Sequence, residues 1–180
     1  MRILLGVCLL LSCSLALSAA DTTVGAAALN RWVGGQWISN GQFVDSAYSK
    51  AAKASATTKC SWSAYHTFVI CDQDIDFGGT LMHELSVYTY TAKTNKFYFY
   101  GISLGEEEPR HTALDISDNG NRWTYSSSQT IKGQAVEFRT ANEFHGNNAV
   151  EWRSEYSTDG GKTWTKTGQG SETRKEVSIN

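Results

Sequence analysis

From about Trp32 to Arg174 the chain alternates apolar and polar residues with a period of two. Over 149–157, Val150, Trp152 and Tyr156 fall on one face and Glu151, Arg153 and Glu155 on the other. Over 134–140, Val136 and Phe138 oppose Glu137 and Arg139, and over 121–128, Trp123 and Tyr125 oppose Arg122 and Thr124. Alternation of this kind describes strands with one buried face and one wet face. The pattern predicts about ten of them, at 36–38, 57–64, 67–74, 82–91, 96–103, 112–117, 121–128, 134–140, 149–157 and 162–172. The joints carry turn chemistry: Asn40-Gly41, Asn95, Asp118-Asn119-Gly120, Lys132-Gly133, Gly146-Asn147 and Asp159-Gly160-Gly161. Asn, Asp and Gly tolerate the positive φ that tight hairpins need. Residues 46–56, rich in Ala, Ser and Lys, read equally as loop or short helix. Ahead of the strands, Val24, Ala27, Ala28, Leu29, Trp32 and Val33 recur at intervals of three and four, which predicts a short helix over 22–33 stopped by Gly34-Gly35.

Sequential antiparallel strands with short joints hide their inner face as two stacked sheets or as a closed barrel. Only closure removes the edges, and short meander connections favour it. The expected fold is therefore all-β, an antiparallel up-and-down barrel with a short N-terminal helix. Its interior would be lined by Trp62, Trp123, Phe138, Trp152 and Tyr156. Strands 82–91 and 96–103 are apolar on both faces. If their turn centres on Thr94, Tyr88, Tyr90, Tyr98 and Tyr100 share one face, a candidate surface for a homodimer or protein partner.

The first twenty residues read as an export signal. Arg2 supplies the positive end, 3–17 is an apolar core too short to span a bilayer, and Ser18-Ala19-Ala20 offers a cleavage site. Cys13 after Leu10-Leu11-Ser12 would suit a lipid anchor, but it comes very early and the later site is better. The remainder, 21–180, reads as one domain that is periplasmic or secreted, with no further stretch apolar enough to cross a membrane. Losing the signal removes one base and no acid, taking the formal charge from −2 to −3. A charge so close to neutral argues against nucleic acid or an anionic membrane surface as the main partner. Two cysteines remain after cleavage. If 64–67 turns, Cys60 faces Cys71, Ser61 faces Ile70 and Trp62 faces Val69, so a disulfide is expected in an oxidising compartment.

Trp32-Val33-Gly34-Gly35-Gln36-Trp37 resembles the Gly-x-Trp opening of lipocalin-like (calycin) barrels. With Cys60-Ser61-Trp62, Val87-Tyr88-Thr89-Tyr90, the closing Asp159–Trp164 hairpin and Thr173-Arg174, the ordered set resembles an uncharacterised bacterial lipocalin-like family related to nitrobindin. The resemblance covers most of the mature chain. It implies a small barrel with a helix near one mouth, and an Arg174 guanidinium packed on Trp37, both structural. It also raises heme, which nitrobindin relatives hold through a His on a terminal strand. The strand at 162–172 has no histidine and Met82 is the only mature methionine, leaving His83 or His145 as candidate ligands. An isolated His is more often a surface residue, and no cofactor is expected.

Three other constellations resemble functional motifs in part. Asp72, Asp74 and Asp76 with Gly78 and Glu84 approach a calcium loop, but Phe77 stands at the glycine position and His83 at the glutamate position, so no metal site is expected. Residues 157–164 match the Asp-box pattern S-x-D-x-G-x-T-W, where the Asp caps the turn and the Trp packs beneath; one copy reads as a well-made hairpin. Glu106-Glu107-Glu108-Pro109-Arg110-His111 could offer acid–base groups, yet reads as a solvated turn. No G-x-S-x-G, H-E-x-x-H, P-loop or dinucleotide fingerprint appears. The expected function is non-catalytic binding of a small apolar or aromatic ligand inside the barrel. The alternatives are a filled barrel acting on a protein partner, and a hydrolase or isomerase using His83, Glu84 or the 106–111 loop.

Overall fold

A computed structural model of the protein describes Gly25, residues 27–105 and residues 108–176. The expected export signal and the start of the expected helix lie outside the described residues. Ten strands run up and down in chain order: β1 (Gln36–Phe43), β2 (Ala52–Trp62), β3 (Phe68–Phe77), β4 (Thr80–Thr91), β5 (Lys96–Ser103), β6 (Arg110–Ser117), β7 (Arg122–Ile131), β8 (Gln134–His145), β9 (Ala149–Ser157) and β10 (Thr165–Lys175). Each pairs antiparallel with its neighbours, and β10 returns to β1, so the sheet closes into a barrel. Closure leaves every strand with two partners and abolishes the exposed edge. Among the described residues no helix is long and apolar enough to cross a membrane.

The two ends of the barrel differ. At one end a helical turn through Leu29, followed by the loop carrying Trp32, lies across the opening. Leu29, Trp32, Trp37, Val69, Trp123 and Phe144 form a buried cluster there. Trp32 is its centre: its ring meets Trp37 at 5.0 Å, Phe144 at 5.0 Å and Trp123 at 6.0 Å between centroids, all edge-on. Edge-to-face rings satisfy the aromatic quadrupole and seal the end. The helix ends sooner than 3.6-periodicity predicts. After Leu29 the backbone bonds skip only three residues, Arg31 N–H to Ala28 and Trp32 N–H to Leu29, which tightens the chain and drops the indole into the barrel. Gly34 and Gly35 then turn the chain into β1 at φ of 88° and 68°.

Cys60 pairs with Cys71, Ser61 with Ile70 and Trp62 with Val69, the register expected from the sequence. The Cys60–Cys71 disulfide is formed, across a Cα–Cα distance of 4.0 Å. The four tyrosines of β4 and β5 do not share a face, a correction to the expected register. Tyr88 pairs with Phe99, and Tyr90 with Phe97, so those four point inward while Tyr98 and Tyr100 point out. The turn centres between Lys93 and Thr94, which slips the pairing by one residue, and one residue of slip flips a whole strand. Outside, Tyr100 stacks on His111 at 4.7 Å.

β1, β2 and β10 are among the strands whose extent differs from the pattern. β2 begins at Ala52, inside the ambiguous segment, because pairing with both β1 and β3 overrides the weak strand preference of alanine. β1 runs on to Phe43 through Gly41. β10 starts at Thr165, because 157–164 are used by the Asp-box turn. In that turn Asp159 accepts from the backbone of Lys162 (3.0 Å) and Thr163 (2.9 Å) and from the Thr163 hydroxyl (2.6 Å). These bonds, Thr163 foremost, pull the Asp159 carboxyl down to about 2. Trp164 lies under the Arg139 guanidinium at 3.9 Å.

Candidate functional site: the barrel interior

Away from the sealed end the inner wall surrounds a cavity of about 490 Å³. Its lining is part aromatic and part polar. Phe43, Phe138 and Trp152 form one side, Tyr88, Phe99 and Tyr125 another, with Gln73, Ser86, Asn142, Glu84, Arg110 and Glu172 among them. The cavity reaches the rim opposite Trp32, where Gln129 and Arg110 are exposed.

Trp152 owes its place to glycine. Gly41 and Gly170 are cross-strand partners, and Gly170 pairs in turn with Trp152. A Cβ on either glycine would fall on the indole six-membered ring. The absence of two side chains thus makes a slot in which the indole lies flat along the wall, pinned by an Nε1–H bond to Ser39 Oγ (3.2 Å). The same device recurs where Gly168 lies under Phe43. Gly in a strand commonly marks a close approach of this kind.

Two carboxylates enter the cavity under different conditions. Glu84 is buried and well provided: it accepts from Ser86 (2.9 Å) and Ser103 (3.2 Å), and Arg110 forms an ion pair with it. Gly101 leaves room for that pair, since a Cβ there would crowd both Glu84 and Arg110 at 3.2 Å. Glu172 has no such support. Burial alone acts on it, and pushes its carboxyl from 4.5 up to about 7. Tyr125 donates to the Tyr88 hydroxyl at 3.3 Å. Burial holds both phenols protonated far above their ordinary range.

Phe138 and Trp152 line the cavity as the alternation suggests. Trp123 and Trp62 do not reach it. Trp123 is fully buried in the end cluster and donates to Gly120 (3.1 Å). Trp62 donates to Asn30 (3.1 Å) and stacks on His66 at 5.8 Å. Tyr156 sits against Tyr48 at 4.7 Å, where the loop between β1 and β2 folds over the rim. The Arg174 guanidinium lies 4.5 Å from the Trp37 ring centre and hydrogen-bonds the Arg31 carbonyl, tying the last strand to the sealing loop.

His83 and Glu84 adjoin in sequence but face opposite sides of β4, so the two do not converge on one site. Glu84 is inside; His83 is on the outer wall between Asp72 (3.3 Å) and Asp74 (3.0 Å), and the Asp74 bond raises its pKa. In the 106–111 loop, Arg110 turns inward and His111 outward onto Tyr100, so these neighbours do not converge either. Glu106 and Glu107 lie outside the described residues. The third carboxylate of the acidic run, Asp76, caps the β3–β4 turn by accepting from Gly79 N–H (2.7 Å). His145 is exposed at a turn beside Glu151 (3.6 Å). Among the described residues no histidine lines the cavity, its two cysteines are bonded to each other, and its tyrosines are held protonated. That donor set does not fit heme iron.

Two solved structures share this architecture. The S-type phycobiliprotein lyase CPES from Guillardia theta aligns with a TM-score of 0.55 at 11% identity, over 88% of this chain and 98% of that one. Rv2717c from M. tuberculosis aligns with a TM-score of 0.56 at 10% identity, over 84% of this chain and 98% of that one. The fold is lipocalin-like. Identity at this level shows the fold alone. No family model matches the sequence, and no curated protein does. The sequence signal for a lipocalin-like interior was the inward aromatic row. What it missed was the polar half, Gln73, Glu84, Arg110 and Glu172, which alternation assigns to a face but not to a cavity.

Proposed function

We propose that this lipocalin-like barrel is an exported, non-catalytic binding protein that holds a small ligand with an aromatic or apolar body in its interior. The observation that carries the reading is the cavity of about 490 Å³ walled by Phe43, Phe138 and Trp152 and dotted with a few polar groups. That size and mixture are those of ligand pockets in general. The mouths of β-barrels are among the places where such sites recur. Export is supported by the signal-like leader and by the Cys60–Cys71 disulfide, a bond that persists in oxidising compartments. The separation of His83 from Glu84 and the unsuitable donor set favour binding over acid–base or heme chemistry. Kinship with the nitrobindin-related group rests on the sequence motifs and extends in this reading to the barrel, without its heme.

The test is native mass spectrometry of protein purified from its own compartment, paired with the variant Ala56→Trp. Ala56 lines the cavity and is small, so an indole there fills the space. A co-purified small molecule that is present in the wild type and missing from a folded Ala56→Trp protein supports the reading. A ligand retained equally by both, bound elsewhere, overturns it.

A further inference from the structure

Glu172 breaks the pattern by which this interior handles charge. Glu84 has Arg110, Ser86 and Ser103; Glu155, on the outer wall, has Arg139 (2.6 Å) and Arg153 (3.1 Å). Glu172 faces the cavity and, among the described residues, no hydrogen bond and no cation meets its carboxylate; burial is what shifts it. The groups around it cannot serve. Tyr88 and Tyr125 lie within its field, but they are hydrogen-bonded to one another and remain protonated. Arg174, two residues along the same strand face, is turned to Trp37 and the Arg31 carbonyl. Glu84 is occupied by Arg110. The indole N–H of Trp32, which also borders the cavity, is buried near Tyr125 and meets no well-formed hydrogen-bond partner among the described residues.

We propose that the cavity selects a ligand carrying a protonated nitrogen, seated against Glu172 with its ring or chain among Tyr88, Phe99 and Tyr125. The proposal rests on the reading of the cavity as a binding site. A buried carboxylate without a partner is unfavourable, and an organic ammonium supplies both the missing charge and a hydrogen bond. The aromatic faces beside it suit a cation, through their quadrupoles, as much as an apolar body. A metal ion is the poorer occupant: among the described residues no group of three or more His, Cys, Asp or Glu is placed to hold one. An anionic ligand would set like charge against Glu172. In the free protein near neutral pH the carboxyl is partly protonated, and an ammonium drives that proton off, while burial holds the two phenols protonated.

The experiment uses the whole protein and three probes sharing one ring system: naphthylmethylamine, naphthylmethanol and naphthoate. Binding is followed by tryptophan fluorescence and by calorimetry in buffers of different ionisation enthalpy. The amine is expected to bind about tenfold or more tightly than the alcohol, the ratio a charge-assisted hydrogen bond carries, with naphthoate weakest. Glu172→Gln, nearly isosteric, is expected to level amine and alcohol while leaving the alcohol unchanged. Near pH 6.5 the wild type should release a proton on binding the amine, and the variant should not. Equal affinity for amine and alcohol in the wild type, or a preference that survives Glu172→Gln, overturns this proposal while the cavity reading stands. No binding of any probe at millimolar concentration counts against the cavity reading itself and takes the proposal with it.

Discussion

Replacing Glu172 by Gln is expected to stabilise the protein, and the gain should depend on pH in one direction only. A carboxyl that titrates at 4.5 in the unfolded chain and at about 7 in the barrel binds its proton more tightly when folded. At about 1.4 kcal/mol per tenfold change in proton affinity, the native state carries a penalty of about 3 kcal/mol once the group is ionised in both states. Below about pH 4.5 the group is protonated in both states and the penalty is absent. It grows between about pH 4.5 and 7, and is complete above. Glu172 is only part-buried, and solvent screening trims the figure to roughly 2–3 kcal/mol at pH 8, which for a domain of this size corresponds to about 5–10 °C in melting temperature. The assay is thermal or urea unfolding of wild type and Glu172→Gln at pH 4.5, 6 and 8. Superimposable curves at pH 4.5 that separate toward pH 8, with the variant higher, are expected. A variant no more stable than the wild type at pH 8 would refute the claim that this carboxylate is buried without compensation.

Three further outcomes follow from the geometry. Breaking the Cys60–Cys71 bridge, by reductant or by a double Cys→Ser variant, removes a cross-link spanning a separation of 11 residues and should cost about 2–3 kcal/mol, read as a lower urea midpoint. Arg110→Ala leaves Glu84 buried beside two serines; a loss of about 2 kcal/mol is expected, and adding Glu84→Gln should restore much of it in the same unfolding assay. Gly170→Ala puts a methyl group where the Trp152 ring lies, so the ring must move toward the cavity; a loss of about 1–3 kcal/mol and a shifted indole emission are expected, and an unchanged spectrum would count against the slot.

The closed sheet was legible because most of its strands have an apolar inner face and a polar outer one, as in Val150, Trp152 and Tyr156 against Glu151, Arg153 and Glu155. The disulfide was legible because a short turn leaves two cysteines facing each other. The β4–β5 register was not. With Val87, Tyr88, Tyr90, Phe97, Phe99 and Tyr100 in alternation, both faces are apolar, and nothing in composition penalises a shift by one residue. The inner face of β10 was illegible for the opposite reason: it consists of Gly168, Gly170, Glu172 and Arg174, and its meaning lies in what stands across from it. The two glycines make sense only once Trp152 and Phe43 are seen over them. The carboxylate makes sense only once the nearby cations, Arg110 and Arg174, are seen to be engaged elsewhere.

The hoop of strands is completed by the pairing of Gln36–Phe43 with Thr165–Lys175. A growing chain therefore carries its opening strand half-satisfied until nearly all of the polypeptide has emerged, and the Trp37 ring waits as long for Arg174. Assembly of this architecture is governed by its most distant partners and belongs to the slow class. A fragment ending before Thr165 should behave as a sticky ribbon prone to self-association, not as a smaller version of the same vessel.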